Sequence, residues 1–266
     1  MMSKTQLAVL SFAVALFLLL YFGFDTKPKA QKEINKDRIE NVESTSINSL
    51  LLSAKNNLKP EDASEVLLAE AKLSEAKNDL DKTEAYKTLS SAWYKINRFA
   101  IAGYYAQLVA DQEATAEAWS IAGATYNRGI NLEKEEKVIE FCADRAFQAF
   151  ENAISLEPTN VTHRVNLAVC YTDRAPKDNP MKGILMLIDL NKKHPENVPT
   201  LSTLGRLGIQ TGQFEKAKGR LEKALQIEPE NIKVNCLLAQ VYEGLGLTEK
   251  ATTFKNICQS LAEAQR

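Results

Sequence analysis

A proline followed two residues later by an asparagine recurs along the second half of the chain at nearly regular intervals. The prolines are Pro158, Pro195 and Pro229, so the two intervals are 37 and 34 residues. Because proline cannot continue a helix, each one marks the end of a helical segment. An interval of this length holds two short helices, which cannot bury their apolar faces unless similar pairs stack on them. The chain is therefore expected to form a linear stack of helix pairs.

The stretch from Val198 to Asn231 shows this pattern most clearly. Apolar and small residues recur at helical spacing in two segments that Gly212 separates. The two segments carry Leu201, Leu204, Gly205, Gly208 and Ile209, then Phe214, Ala217, Leu221, Ala224 and Leu225. This arrangement resembles the tetratricopeptide repeat, a helix–turn–helix unit of about 34 residues. Its small residues let paired helices approach closely, and its aromatic residues fill the space between neighbouring units.

The resemblance covers residues 83–266 and implies an all-α solenoid with a right-handed superhelix. About five repeats are expected, at 83–115, 116–160, 161–197, 198–231 and 232–266. The second repeat carries Trp119, Ala122, Gly123, Tyr126, Ala146, Phe150 and Ala153 at the signature positions. Residues 46–82 match the pattern poorly, and they are expected to form a capping hairpin whose second helix contains Val66 and Leu80.

Two segments depart from the repeat pattern. The second repeat holds about 11 extra residues between its helices, compared with a standard unit. The extra residues are expected to lengthen its second helix and to expose four apolar side chains for contact with a second copy of the chain. These are Ile130, Leu132, Val138 and Ile139. In the third repeat, Asn179 and Pro180 are predicted to be the N-cap and the first residue of a helix.

The N-terminal part of the chain contains an uncharged apolar run at residues 7–24. Eighteen helical residues span about 27 Å, enough for the hydrocarbon core of a bilayer. We interpret this run as an uncleaved transmembrane anchor, with a short tail at 1–6 before it and a polar linker at 25–45 after it. The alternative is a cleaved signal peptide, although the run is long for one and Pro28 before Ala30 makes a poor cleavage site.

The sequence leaves the orientation of this anchor open. Lys4 alone precedes the run and five basic residues follow it, a distribution that favours a cytoplasmic domain. A short tail with a single lysine is also typical of an uncleaved secretory signal, and we slightly favour a periplasmic domain on a bacterial inner membrane. The cysteines favour the cytoplasm, since all four are predicted to be small, buried, reduced residues. They are Cys142, Cys170, Cys236 and Cys258.

No residue pattern in the chain indicates catalysis. Phosphate-binding loops, nucleophile elbows and zinc motifs are absent from the sequence. His163 and His194 are interpreted as turn or helix-end residues beside the prolines. A net charge of −1 gives no basic face for nucleic acid. We therefore expect no enzyme activity, no cofactor, no metal and no nucleic-acid partner.

The resemblance implies a binding groove formed by the first helix of each repeat. The groove positions carried over to this sequence are Lys87, Tyr94, Lys95, Asn127, Arg128, Arg206, Gln210 and Gln240, accompanied by Ser91, Ser120, Val169, Thr172 and Ile209. Basic and amide groups outnumber acidic ones, which favours an extended acidic or backbone-presenting segment of a partner protein. The clamp of chaperone-binding members is not reproduced, because Ser91 and Ala124 replace its asparagines.

The function expected from these features is that of a membrane-anchored scaffold for a protein or peptide partner. One alternative is an assembly factor similar to the tetratricopeptide subunits of cytochrome c maturation, which hold a client polypeptide at the membrane. The other is a structural envelope protein that associates with itself as a homo-oligomer.

Overall fold

A computed structural model describes residues 46–264, which form helices joined by short turns and contain no strand. The predicted anchor at 7–24 and the linker at 25–45 lie outside the described residues. The described residues form twelve helices: α1 Ile47–Asn56, α2 Pro60–Glu75, α3 Asp79–Lys95, α4 Phe99–Glu113, α5 Ala116–Leu132, α6 Glu136–Leu156, α7 Val161–Asp173, α8 Lys182–Lys193, α9 Val198–Gln210, α10 Phe214–Ile227, α11 Ile232–Gly244 and α12 Thr248–Ala264. None of these helices is both long and apolar enough to span a membrane.

From Leu50 onward the chain forms one compact unit made of stacked helix pairs. The pairs are α3–α4, α5–α6, α7–α8, α9–α10 and α11–α12. The first helices of successive pairs also touch one another, from α5 to α7, α9 and α11, and so they form a continuous layer. In contrast, α3 and α5 share hardly any contact. The expected all-α solenoid is confirmed, and the gap between α3 and α5 leaves an opening on this layer.

The recurring asparagines start the first helix of three successive pairs. The side chains of Asn160, Asn197 and Asn231 each accept a hydrogen bond from a backbone N–H in the first turn of α7, α9 and α11, at 3.0, 2.9 and 3.0 Å. Each proline lies two residues beyond the last residue of the preceding helix. Capping of this kind contributes about 1 kcal/mol per helix. The repeated Pro-x-Asn pattern is therefore the turn that ends one pair and begins the next.

Small residues allow close approach within the pairs, as the repeat pattern predicts. A Cβ atom on Gly123 would lie 2.8 Å from the ring of Phe150, and one on Gly205 would lie 2.6 Å from the side chain of Leu221. Ala146 is fully buried in the same α5–α6 contact. The largest side chains that are almost completely buried are Trp93, Tyr126 and Phe150, all at signature positions.

Two predicted helix boundaries are wrong. Helix α2 ends at Glu75, and Leu80 lies instead in the first turn of α3, where it is 80% exposed. Helix α8 begins at Lys182, after Met181, and Asn179 does not cap it. The N–H of Lys182 donates to the carbonyl oxygen of Asn179, so residues 179–182 form a turn before the helix. In both cases a local turn takes the place of residues that were predicted to be helical, from apolar spacing at Leu80 and from the Asn-Pro pair at residues 179–180.

The extra residues of the second pair lengthen both helices, because the chain turns at residues 133–135. Ile130 and Val138 are consequently buried, together with Cys142 and Leu167, and Ile139 packs against their cluster. Leu50 of α1 packs on the same cluster. Of the four side chains predicted to be exposed, only Leu132 is, at 49%. The extension therefore supports α1 and enlarges the core, and the predicted self-association surface is not present there.

The prediction of four buried, reduced cysteines is wrong for two of them. Cys236 of α11 and Cys258 of α12 form a disulfide, with their Cα atoms 5.1 Å apart. These residues are 22 positions apart in sequence and meet because the two helices pack together. Cys142 and Cys170 are buried free thiols, and burial raises the pKa of both.

Candidate functional site

A cavity of about 490 Å³ lies in the gap between α3 and α5. Four of the predicted groove residues, Lys87, Ser91, Tyr94 and Lys95, line it from α3. Val109 of α4 and Ile121 of α5 contribute apolar surface on the other sides. The structure thus brings the predicted residues of the first repeat together around one opening.

Two exposed apolar side chains stand at this cavity. Tyr94 is 44% exposed and Ile121 is 55% exposed. The ring of Tyr94 meets that of Phe99 edge-on, with centroids 5.1 Å apart, which restricts its orientation. Side chains of this kind gain free energy when an apolar partner group covers them. The cavity is suited to receive an apolar side chain of a bound protein segment.

The lysines of this cavity are not free cations. The ammonium group of Lys87 lies 2.8 Å from Glu84 and 2.9 Å from Glu113, and hydrogen bonds to these carboxylates raise its pKa. Lys95 is paired with Glu65 of α2. Each lysine at this end of the layer therefore has a carboxylate partner within the chain.

A second cavity, of about 460 Å³, adjoins the first and shares Glu117 and Ile121 with it. It extends across α5 to α7 and is lined by Ser120, His163 and Asn166. We call the two cavities together the groove. The groove therefore runs across the first helices of three successive pairs.

His163 lies in the wall of the groove and is buried between two hydrogen-bond partners. Its Nδ1 is 2.6 Å from Oγ of Ser120, and its Nε2 is 3.1 Å from Oε2 of Glu157. A hydroxyl, an imidazole and a carboxylate joined in this order also form the catalytic triad of serine hydrolases. Those enzymes additionally need free N–H donors that stabilise the oxyanion of the reaction intermediate. Ser120 lies inside α5, where the backbone N–H groups already bond within the helix. The three hydrogen-bonded side chains instead connect α5, α7 and the turn between α6 and α7.

Asn127 is engaged in a contact between α5 and α7. Its amide nitrogen donates to Oδ2 of Asp173 at 3.1 Å, and the amide of Asn131 donates to the same oxygen at 3.0 Å. The buried carbonyl oxygen of Asn127 has no hydrogen-bond partner among the described residues. Arg128, its neighbour in sequence, is exposed on α5. Asn127 is therefore partly used to join two first helices.

The remaining predicted residues lie on α9 and α11. Arg206 and Gln210 are one turn apart on α9, with 3.4 Å between a guanidinium nitrogen and the amide oxygen, and Gln240 is exposed on α11. Sequence reasoning missed Lys233, which stands two turns before Gln240 on the same face of α11. Partial burial and the nearby Arg206 guanidinium lower the pKa of Lys233, although its side chain remains accessible. The helical spacing from Gln240 could have revealed it.

Within residues 46–264, no group of three or more His, Cys, Asp or Glu side chains is arranged to hold a metal ion. A further cavity of about 510 Å³ lies between α1, the α3–α4 turn and the α5–α6 turn. Glu133 lines it, and burial raises the pKa of its carboxyl group. None of the predicted groove residues lines this cavity.

Comparison with known proteins identifies the repeat directly. A family model described as tetratricopeptide repeat matches residues 209–254, which span α10, α11 and the beginning of α12. The comparison with curated proteins gave no match.

Several solved structures are similar to this chain over most of its length. A crystal structure of MamA is 17% identical, with a TM-score of 0.42, over 66% of this chain and 96% of its own. MamA 41-end from Desulfovibrio magneticus RS-1 is 18% identical, with a TM-score of 0.42, over 71% and 99%. MamA from MSR-1 is 21% identical, with a TM-score of 0.39, over 70% and 99%. TM-scores below 0.5 are too low for a function to be transferred from these structures.

Proposed function

We propose that this chain, whose residues 209–254 match the tetratricopeptide-repeat family model, is a scaffold that binds a segment of a partner protein in its groove. Repeat arrays of stacked helix pairs serve as extended interaction surfaces. The groove is formed by α3, α5 and α7, the first helices of successive pairs. A scaffold of this kind recruits its partner and performs no reaction on it.

The exposure of Tyr94 and Ile121 beside one cavity is the observation that carries this proposal. Binding energy at protein interfaces is concentrated in a few apolar and aromatic side chains that fit pockets. The polar rim around these two residues contains carboxylates, hydroxyls and ion-paired lysines. An apolar anchor residue of the partner would occupy the space between Tyr94 and Ile121.

The proposal includes attachment to a membrane through residues 7–24, with the repeats on its oxidising side. The uncharged run supports the attachment. The disulfide between Cys236 and Cys258 supports the orientation, because disulfides persist mainly outside the reducing cytosol. This orientation corresponds to the periplasm in a bacterial cell.

In-cell photocrosslinking of the full-length protein tests the groove. A photoreactive amino acid replaces Ile121 in one strain and Leu156 in the other. Leu156 is a matched control, since it is apolar, 48% exposed and outside both cavities. We expect one partner, identified by mass spectrometry, to be captured from position 121 only, and to be lost when Tyr94→Ala is added. Equal capture from both positions, or none from either, would contradict the proposal.

The structure affects the two alternative functions differently. Self-association through the extension loses its basis, because Ile130 and Val138 are core residues. The assembly-factor function stays a prediction, which loss of c-type haem proteins in a deletion strain would support and an unchanged haem stain would remove.

A further inference from the structure

Few contacts hold helix α1 on the stack. Among the described helices, none shares more than a marginal contact with α1. Within the described residues 47–56, Ala54 alone is buried, and Leu50 packs on the core cluster that contains Val138. Lys55 pairs with Glu70 of α2 at 2.5 Å, but both side chains are partly accessible, and exposed ion pairs stabilise little. Because so little of its surface is buried, α1 is expected to open more readily than the repeats.

The cavity of about 510 Å³ lies between α1 and the turns of two repeats. Five apolar residues form the part of its wall that we call the α1 seat: Ile96, Ala100, Ile101, Leu132 and Val138. The charged residues of its lining are two cations and two anions, so charge selects no occupant there: Arg98, Lys134, Glu133 and Glu135. An apolar wall beside unfilled space lacks the packing contacts that a larger side chain would supply.

Helix α1 fills this cavity incompletely. The residues of its segment that line the cavity are spaced at i, i+3, i+4 and i+7, which is one helical face: Leu50, Ser53, Ala54 and Asn57. Two of the four are polar, and the amide of Asn57 donates to the backbone carbonyl oxygen of Ser53 at 2.8 Å. The amide is thus bonded to its own segment. The face that α1 presents to the α1 seat is therefore smaller and more polar than apolar packing favours.

We propose that the α1 seat is a docking site for an amphipathic helix of a partner protein, which takes the place of α1. Helix α1 itself shows the geometry of the occupant, with four side chains facing the cavity and a lysine that pairs with Glu70. A partner helix with apolar side chains at all four positions fills the cavity and binds more tightly than α1 does. This site goes beyond the proposed groove, since it is formed by different residues.

Fluorescence anisotropy with the full-length protein in a non-ionic detergent tests the inference. Three fluorescein-labelled peptides of residues 46–59 are compared: the native sequence, Ser53→Leu with Asn57→Leu, and Asn48→Leu with Asn56→Leu. The third peptide carries its two leucines on the opposite helical face and is the control for apolar content. We expect the Ser53→Leu, Asn57→Leu peptide to bind at least about tenfold more tightly than the other two. The native peptide should bind weakly, because the identical segment of the chain competes at an effective concentration on the order of millimolar.

Charge reversal at Glu70 locates the bound peptide. The Ser53→Leu, Asn57→Leu peptide should bind wild-type protein more tightly than its Lys55→Glu version does, and the order should reverse in the variant Glu70→Lys. Loosening of α1 by Glu70→Lys would favour both peptides equally, so it cannot produce the reversal.

Hydrogen exchange shows whether α1 is displaced. With saturating Ser53→Leu, Asn57→Leu peptide, amides of residues 50–56 should exchange faster, while exchange in α9 and α10 stays unchanged. Equal binding of this peptide and the opposite-face control, no reversal in Glu70→Lys, or unchanged exchange of residues 50–56 would overturn the inference. Photocrosslinking from position 121 reports on the groove alone, so failure of the peptide at the α1 seat leaves the scaffold proposal in place.

Discussion

Close contact within each helix pair depends on single small residues. At Gly123 the ring of Phe150 occupies the space that a side chain would need, so α5 and α6 can approach only because this position has no Cβ. Gly219 is the contrasting case, since a Cβ there would meet nothing within 4 Å although the residue lies inside α10. The same residue type is thus required by packing at one site and only weakens the helix at the other.

Substitution of these two glycines by alanine should change stability in opposite directions. Gly123→Ala forces a clash with a buried ring and should destabilise the protein by about 1–3 kcal/mol. Gly219→Ala should stabilise it by about 0.5–1 kcal/mol, because alanine is the better helix former. The midpoint of thermal unfolding, followed by circular dichroism on the full-length protein, should fall for the first and rise for the second. A fall in both would show that the α10 surface is not open.

Residues whose role is set by the repeat itself could be predicted from the sequence. Trp93, Tyr126 and Gly123 occupy the buried positions that the pattern assigns to them. The ion pairs of the groove lysines could not all be predicted, because the partner of Lys95 is Glu65, which lies 30 residues earlier in the sequence. An ion pair between residues so far apart in sequence depends on how the helical hairpin that precedes the repeats packs against them.

At the scale of helices, α12 packs against α11 but buries few of its own side chains. Ala251 is its one buried residue among those described, and Phe254 stacks on Tyr242 with ring centroids 5.3 Å apart. The disulfide from Cys258 to Cys236 adds a covalent link between this last helix and α11. Among the described helices, α12 packs substantially against α11 alone, and a helix with one packing neighbour is expected to open first.

Loss of the disulfide should therefore loosen α12 selectively. A link that closes a loop of this size stabilises by about 3 kcal/mol. We expect faster amide hydrogen exchange in residues 248–264 of the variant Cys236→Ser, Cys258→Ser, with exchange in α5 and α6 unchanged. Adding reductant to the wild type should reproduce the effect, and adding it to the variant should do nothing further. Uniform acceleration along the whole array would contradict this local role.

The helix pairs could be predicted from the sequence more accurately than the turns between helices or the disulfide. The extension of the second pair has helical spacing on both sides of residues 133–135, so the position of its turn could not be chosen from apolar periodicity. Asn179-Pro180 has the composition of a helix start, but the turn continues to Lys182. The disulfide was missed because 22 residues separate two cysteines without a recognisable motif, and only the pairing of α11 with α12 brings them together.

At the scale of the whole molecule, the proposed membrane attachment makes the orientation of the repeats important, because the side of the membrane on which they lie decides which partners they can meet. The basic residues that follow the apolar run favour a cytoplasmic location of the repeats. The structure adds the disulfide between Cys236 and Cys258, which is rarely stable in a reducing cytosol. Cys142 and Cys170 are buried free thiols, and they provide an internal reference when reactive thiols are counted.

Counting reactive thiols in cells should settle this orientation. Cells are quenched in acid, and the full-length protein is denatured and treated with a maleimide that adds a visible mass per thiol. Repeats in an oxidising compartment should give two additions without reductant, from Cys142 and Cys170, and four after reduction. The variant Cys236→Ser, Cys258→Ser should give two in both conditions. Four additions without reductant would place the repeats in a reducing compartment, and the search for a partner would then move to the cytoplasm.

In native protein both reference thiols should stay unlabelled, because they are buried and their raised pKa disfavours the reactive thiolate.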